Sequence, residues 1–580
     1  MTPPSARDPV GGVDEGIASR RSLWVALSLA AAFGLAELPF AAFMADDLIQ
    51  LSVLERTSPV VWLGPLQLYT LSDGVPAHVR ALQNVGAMPW FFAPDFKMSF
   101  FRPLSSGLLA LDHAVFGLSP IGYRVHATLW FVALVAALWS VLRRALPEPL
   151  AAWSLVVFAI SGMHASLFWI ATRHVVVAAA LGTAALAAHV RWREEGWRAG
   201  RALSIGLVAL ALSASEAAVA VVAYLVAYEA LGARDARAAR MRAVLPLLLL
   251  VAAHLALLRW MDNGVAGGGY LDPLREPIAF LAELPARWVF LVGALIAGGG
   301  ADAWTLWPGL RGALAVAAGL VIAAFGAVLR AAWAKASAAD RRGAGWLIAG
   351  SVASTAAFAG TPIGSRCLVV PMIGGSAAIA LVLRCWWTAR RGERRPFGRW
   401  LGAVCGALAV IHLVLAPLGR LATPYGMRRM LWSRIADAMD DDAFAGDALA
   451  ARRLVVLRAP DFILGLHPFF FRTAYRLPMP EWWRTLSWAP CPHRIVRTAV
   501  DAFELETVGC DIDAPALAAG DVVELDGMRA RVLARGARGP ARVEFRFDRP
   551  LEDPGLAFFT WQGDRLQRVQ LPPIAGAVTL

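Results

Sequence analysis

The chain has 580 residues, 58% of them hydrophobic and only 17% charged, with a formal net charge of +12. A mean hydropathy of +0.55 excludes an ordinary soluble domain, and repeated apolar stretches of spanning length point to a multi-pass membrane protein. The positive charge does not indicate nucleic acid, because the arginines cluster in short junctions between apolar stretches, as they do on the cytoplasmic face of a membrane.

Residues 1–21 read as a cytoplasmic N-terminal tail ending in Arg20 and Arg21. Ser22–Met44 is too long for a signal peptide and reads as the first span. Asp46 and Asp47 follow it directly, two adjacent carboxylates at a membrane boundary, which are costly unless something uses them. A polar loop (46–119) comes next, holding Trp90, Phe91, Phe92, Phe100, Phe101 and Arg102. Its last part, Pro103–Leu118, reads as a surface helix, in which Asp112 and His113 either join the polar groups of the outer face or do no more than cap the helix.

Further spans are expected at about 120–142, 150–170, 175–190, 203–214, 217–231, 243–261, 303–329, 345–360, 368–387 and 400–418. Basic clusters then fall at alternate junctions: Arg143/Arg144, Arg191–Arg201, Arg234–Arg242, Arg330–Arg342 and Arg384–Arg399, the last including Arg394 and Arg395. All face the cytoplasm if the N-terminus does. Two segments need this parity to be read. The stretch 203–231 is expected as a hairpin with its tip at Ser215–Glu216, each arm reaching roughly 20 Å of a ~30 Å hydrocarbon core. Pro277–Gly300 is expected as an interfacial or re-entrant element, since a full span there would invert every later cluster.

On this parity Asp46, Asp47, Arg102, His164, Arg173, His174, Glu216 and Arg366 share the outer face. Carboxylates and arginines together suit a reaction on an anionic, lipid-linked substrate. Plainer uses compete: arginines as interfacial anchors, His164 as a packed ring, Glu216 as a cap, Glu37 as the mark of a loosened helix. The five cysteines form no CxxC pair and so no zinc site, but Cys491 and Cys510 could pair if the tail is extracytoplasmic.

The motifs at these residues resemble those of the GT-C glycosyltransferases, nearest the branch of transmembrane O-mannosyltransferases and their bacterial relatives. "ADDLIQL" resembles the acidic motif after helix one. "FFRPLSSGLLALDHAVFGLSPIGYR" (Phe100–Arg124) is similar to a run of R-P-L, Asp and G-x-x-P-x-G-Y. "HASLFWIATRH" (His164–His174) is similar to the H-x-E…W-I-S-G-R-K turn, with Ser166 in place of its glutamate. "SASEAAV" resembles an S-K-E motif with Ser215 in place of lysine, and "SRCLVVPMIG" resembles E-R-Y-L-Y-x-P-S-I-G with Cys367 in place of tyrosine.

The resemblance covers about Arg20–Gly419 and implies an all-α multi-pass bundle of the bacterial inner membrane, with about eleven spans over 22–418. It implies transfer of a sugar from a polyprenyl-phosphate donor to an extracytoplasmic hydroxyl on a glycan, lipid or protein. Asp46 would be the base. Asp47 would position the acceptor or hold a divalent cation, the one cofactor in view. Arg366, Arg173 and Arg102 would hold the lipid phosphate. A lipid-linked glycan carrier or a binding scaffold could use the same charges. The tail, 419–580, is expected as an extracytoplasmic soluble domain, β-rich from about 482, with Trp482, Trp483, Trp488 and Trp561 either stacking on sugars or packing inside.

Overall fold

The computed structural model describes residues 9–267, 269–391, 398–439, 449, 452–563 and 565–580. Arg394 and Arg395, and the first eight residues of the expected N-terminal tail, lie outside the described residues. The chain divides into two units. One comprises Met1–Ala41, Phe101–Asp262 and Gly269–Tyr425; the other comprises Ala42–Phe100, Asn263–Gly268 and Gly426–Leu580.

The first unit is helical, and each expected span is largely helix. Among the described residues eight helices are long and apolar enough to cross a membrane, a ninth if Glu148–Ala159 and Gly162–Phe168, bent by 42°, count as one span. The others are shorter or more polar: Ala199–Ala214, the stretch 216–232, and Ala338–Ala356. The protein is thus a multi-pass, all-α membrane bundle with a strand-rich C-terminal region.

Ion pairs gather the basic junctions at one end of this unit. Arg144 bonds Glu195 (2.7 Å), Arg193 bonds Glu229 (2.8 Å), Arg342 donates to the Gly232 carbonyl (2.7 Å), and Arg384 bonds Asp340 (2.8 Å). The stretch 199–232 is a hairpin. Gly200 packs on the Ala188 carbonyl and Glu229 meets Arg193, so both arms start from one level and the tip at Ser215 points to the other end.

Pro277–Ile296 is a continuous 20-residue helix, apolar enough to cross. Its flanks nevertheless meet one segment: Leu271 N–H bonds the Gly360 carbonyl (2.8 Å), and Thr305 Oγ1 donates to the Ile363 carbonyl (2.7 Å). The chain therefore returns to the end it left, and the later basic junctions keep their common side.

In the second unit the first loop and the tail fold together, where the sequence suggested a loop of the membrane domain and a separate tail. Trp90 Nε1 donates to the Leu486 carbonyl (2.9 Å), and Arg80 donates to that of Glu524 (2.8 Å). Gly86, at φ +89°, sits so close that a Cβ would lie 1.3 Å from the Trp483 carbonyl oxygen, so no other residue fits. Thr70–Asp73, Lys97–Ser99 and Gly264–Ala266 form an antiparallel three-stranded sheet.

The tail builds two further sheets. The six-stranded sheet runs, in spatial order, Ala577–Thr579, His493–Arg497, Ala502–Thr507, Pro540–Phe547, Met528–Arg535 and Val522–Leu525, all antiparallel. In the four-stranded sheet Arg453–Val456 lies parallel to both Leu556–Gln562 and Trp482–Thr485, the latter reached through the helix Phe462–Ala474. Phe503, Phe545, Phe558 and Trp482 share the core between the sheets. Trp482, Trp483 and Trp561 are buried, and Trp488 packs on Phe91 and Phe92, so these four rings serve the core and offer no sugar platform.

Cys491 and Cys510 form a disulfide across 19 residues, a bond that persists in oxidising compartments. A closed loop of that length contributes about 3 kcal/mol in the chain-entropy picture. Reduction, or Cys510→Ser, is expected to lower the unfolding midpoint of this region, read by thermal denaturation with and without reductant.

Candidate functional site

The acidic pair opens a helix; it does not end one. The first apolar helix stops at Phe40, and Asp46–Leu54 begins after Ala45, whose φ of +47° is a strained value for a residue with a Cβ. Both carboxylates occupy the first turn, where the helix dipole favours negative charge. Their environments differ sharply. Asp47 is 2% exposed and accepts the Met44 N–H at 2.9 Å. The Asp46 side chain is 58% exposed. Tyr475, in the same unit, has its phenol pushed above the usual range by burial, and the Asp47 charge adds to the shift.

The helical unit brings most of the other expected residues together at the end opposite the arginine clusters. Arg102 Nε bonds Glu216 (2.8 Å), and its Nη1 lies 3.1 Å from His174 Nε2. A guanidinium only donates, so His174 Nε2 accepts, and Nδ1 carries the hydrogen toward Ser215 Oγ at 2.9 Å. Arg366 donates to the Pro362 carbonyl (2.9 Å) and acts on His174 electrostatically, as Arg102 does. The hairpin tip thus reaches Arg102 through Glu216 and His174 through Ser215.

Arg173 is in a different position. Its guanidinium is buried and paired with Asp112. The other Asp112 oxygen takes the Nδ1–H of His126 (2.6 Å), whose Nε2 accepts from Trp130 (3.0 Å). Asp112 therefore neutralises Arg173 from within the Pro103–Phe116 helix, which favours its place among the polar groups over the role of a cap. His164 is a packed ring: it bonds the Phe158 carbonyl (2.8 Å) and lies against Phe131 and Phe158. It is not brought to Arg102, Glu216 and His174 by any described contact.

Sequence reasoning missed a buried ionic group in this unit. Glu37 pairs with Arg124, and Arg420 Nε lies 3.6 Å from the same carboxylate. It also missed His467, whose Nε2 lies 3.7 Å from Asp46. Arg124 only closes the run Phe100–Arg124 and Arg420 lies in no motif, so the available signal was their charge within apolar sequence.

Among the described residues no three His, Cys, Asp or Glu side chains group to hold a metal ion. Asp47 spends one oxygen on a backbone N–H, so the pair does not make a fitted cation site, and no step is derived through a metal.

No protein-family model and no curated protein matches the chain. Among solved structures, it is similar to ArnT from Cupriavidus metallidurans, a crystal structure bound to undecaprenyl phosphate. The likeness has 12% identity and a TM-score of 0.37, over 90% of this chain and 97% of that one.

Proposed function

We propose that the protein is a membrane glycosyltransferase that moves a sugar from a polyprenyl-phosphate donor to an acceptor hydroxyl outside the cytoplasm. The observation that carries this reading is the Arg102 guanidinium, held by Glu216 and set against the His174 ring at the end of the bundle away from the basic junctions. Such a group suits a lipid phosphate: a fixed cation near the leaving oxygen stabilises the charge that develops as the sugar–phosphate bond breaks. The exposed carboxylate of Asp46 is the base that takes the acceptor proton while the acceptor oxygen attacks the anomeric carbon. Arg102 and Arg173 each pair with a carboxylate, but the Arg173–Asp112 pair is buried on both sides while Glu216 leaves the Arg102 pair partly open, so Arg173 is the weakest of the three candidate phosphate ligands.

The test uses the purified protein in lipid nanodiscs with polyprenyl-phosphate sugars carrying a labelled sugar, and follows release of label from the lipid. Arg366→Ala is expected to slow release about 100-fold or more, on the scale of losing one strong electrostatic stabiliser. Arg173→Ala is expected to lose folded yield before rate. Donor binding by the wild type with no sugar release, in the presence of envelope extracts as acceptor, would replace the transferase by a carrier or scaffold.

A further inference from the structure

We infer that His467 is the positioning residue of Asp46 and the group that receives its proton; the inference rests on the transferase reading above.

His467 lies on the helix Phe462–Ala474, which Asp461 starts by accepting the Leu464 N–H (2.9 Å). The side chain is 1% exposed. Its Nδ1 is 3.1 Å from the Ile463 carbonyl, one turn back. A carbonyl only accepts, so Nδ1 carries the hydrogen and the neutral ring keeps its lone pair on Nε2. That atom is buried, has no hydrogen-bond partner among the described residues, and faces Asp46 Oδ1 at 3.7 Å.

A lone pair facing an ionised carboxylate gains nothing, and a buried acceptor left unpaired is costly. The arrangement becomes favourable when a proton arrives between them. In the transfer step the acceptor O–H gives its proton to Asp46, and the acceptor oxygen forms the bond to the anomeric carbon. The sugar–phosphate bond breaks with its electron pair leaving on the lipid phosphate. The new Asp46 O–H then points at Nε2, and the proton passes to the imidazole. It returns to water through the exposed Asp46 when product departs.

The charges around the imidazole are few. The Asp46–Leu54 helix contributes Asp46 and Asp47. The Arg434–Met439 helix contributes Arg434, which bonds Asp461 (3.1 Å), and Asp437. On its own helix, Arg472 donates to the Pro478 carbonyl. From the strand Trp482–Thr485, Arg484 donates to the Asn84 and Asp526 carbonyls. Among these, Asp46 is the group in an ion-pair contact with the ring.

The experiment compares wild type, His467→Gln, Asp46→Asn and the double variant for sugar release and its pH dependence, with donor binding and thermal midpoint measured on each. His467→Gln is expected to cut the turnover rate about 10- to 100-fold at unchanged donor affinity. The pH–rate profile should change with it, because the imidazole no longer takes the proton. In the Asp46→Asn background the same change should cost nothing further. A full-rate His467→Gln with an unmoved profile overturns the inference and leaves the transferase standing. So does a loss that tracks the thermal midpoint and adds to that of Asp46→Asn, which assigns His467 to docking the two helices. A wild type that releases no sugar overturns both.

Discussion

Asp46→Asn is expected to fold like the wild type and to lose sugar transfer by about 100- to 10,000-fold, the scale of removing a general base. The neighbouring Asp47→Ala is expected to show the opposite pattern. The difference is set by where each carboxylate points, since both stand in the same helical turn. Asp46 is the exposed member, and an amide in its place keeps the shape and removes the base. Asp47 is buried and bonds the Met44 N–H. Truncation strands that donor and removes a charge the helix dipole favours, at a cost of about 1–3 kcal/mol. Thermal midpoints and single-turnover rates on the two variants separate the roles. Full transfer by Asp46→Asn would remove the proposed base, whatever Asp47→Ala did.

How much of this was legible beforehand depended on the range of the interaction. The apolar stretches and the alternation of arginine junctions are local signals, and the helices and the common basic end follow from them. The hairpin at Ser215–Glu216 was readable for the same reason: a single span would have placed one arginine cluster on the wrong side. The partnership of the first loop with the tail was not readable. It depends on Gly86 meeting Trp483 and Trp90 meeting Leu486, contacts some 400 residues apart with no periodic trace. The strand Leu556–Gln562 is buried on both faces, as an inner strand beside a parallel neighbour is, and so lacks the alternation that marks a half-exposed strand in sequence. His467 sits in an apolar run with no signal of its own, and its aim at Asp46 exists only once the Phe462–Ala474 helix lies against Asp46–Leu54. Asp112 was visible as a charge, but its partner Arg173 lies 61 residues on, and sequence alone left the local role of a cap open beside it.

Glu37 carries the other large expected effect, on stability. Its carboxylate, nearly fully buried, sits with Arg124 and Arg420, whose side chains are equally shielded. Arg124 also donates to the Leu167 carbonyl and lies over the Phe168 ring at 4.5 Å. Arg420 donates to the Ala159 carbonyl (2.8 Å) and lies between Phe33 and Phe131, at 4.6 and 4.7 Å. One negative charge thus serves two cations that have little water. Glu37→Gln removes the counter-charge of both, and breaking a buried ion pair from one side costs about 3–5 kcal/mol. Replacing all three residues by apolar ones removes the charges with their desolvation penalty and should recover most of that loss. The group ties the first helix to the bend at 159–168, just before Arg173 and His174. The single variant should therefore lose thermal stability in detergent and loosen the Arg102–His174 contact, while the triple variant regains the midpoint. Equal midpoints for Glu37→Gln and wild type would mean that the two arginines find water or lipid phosphate in its place.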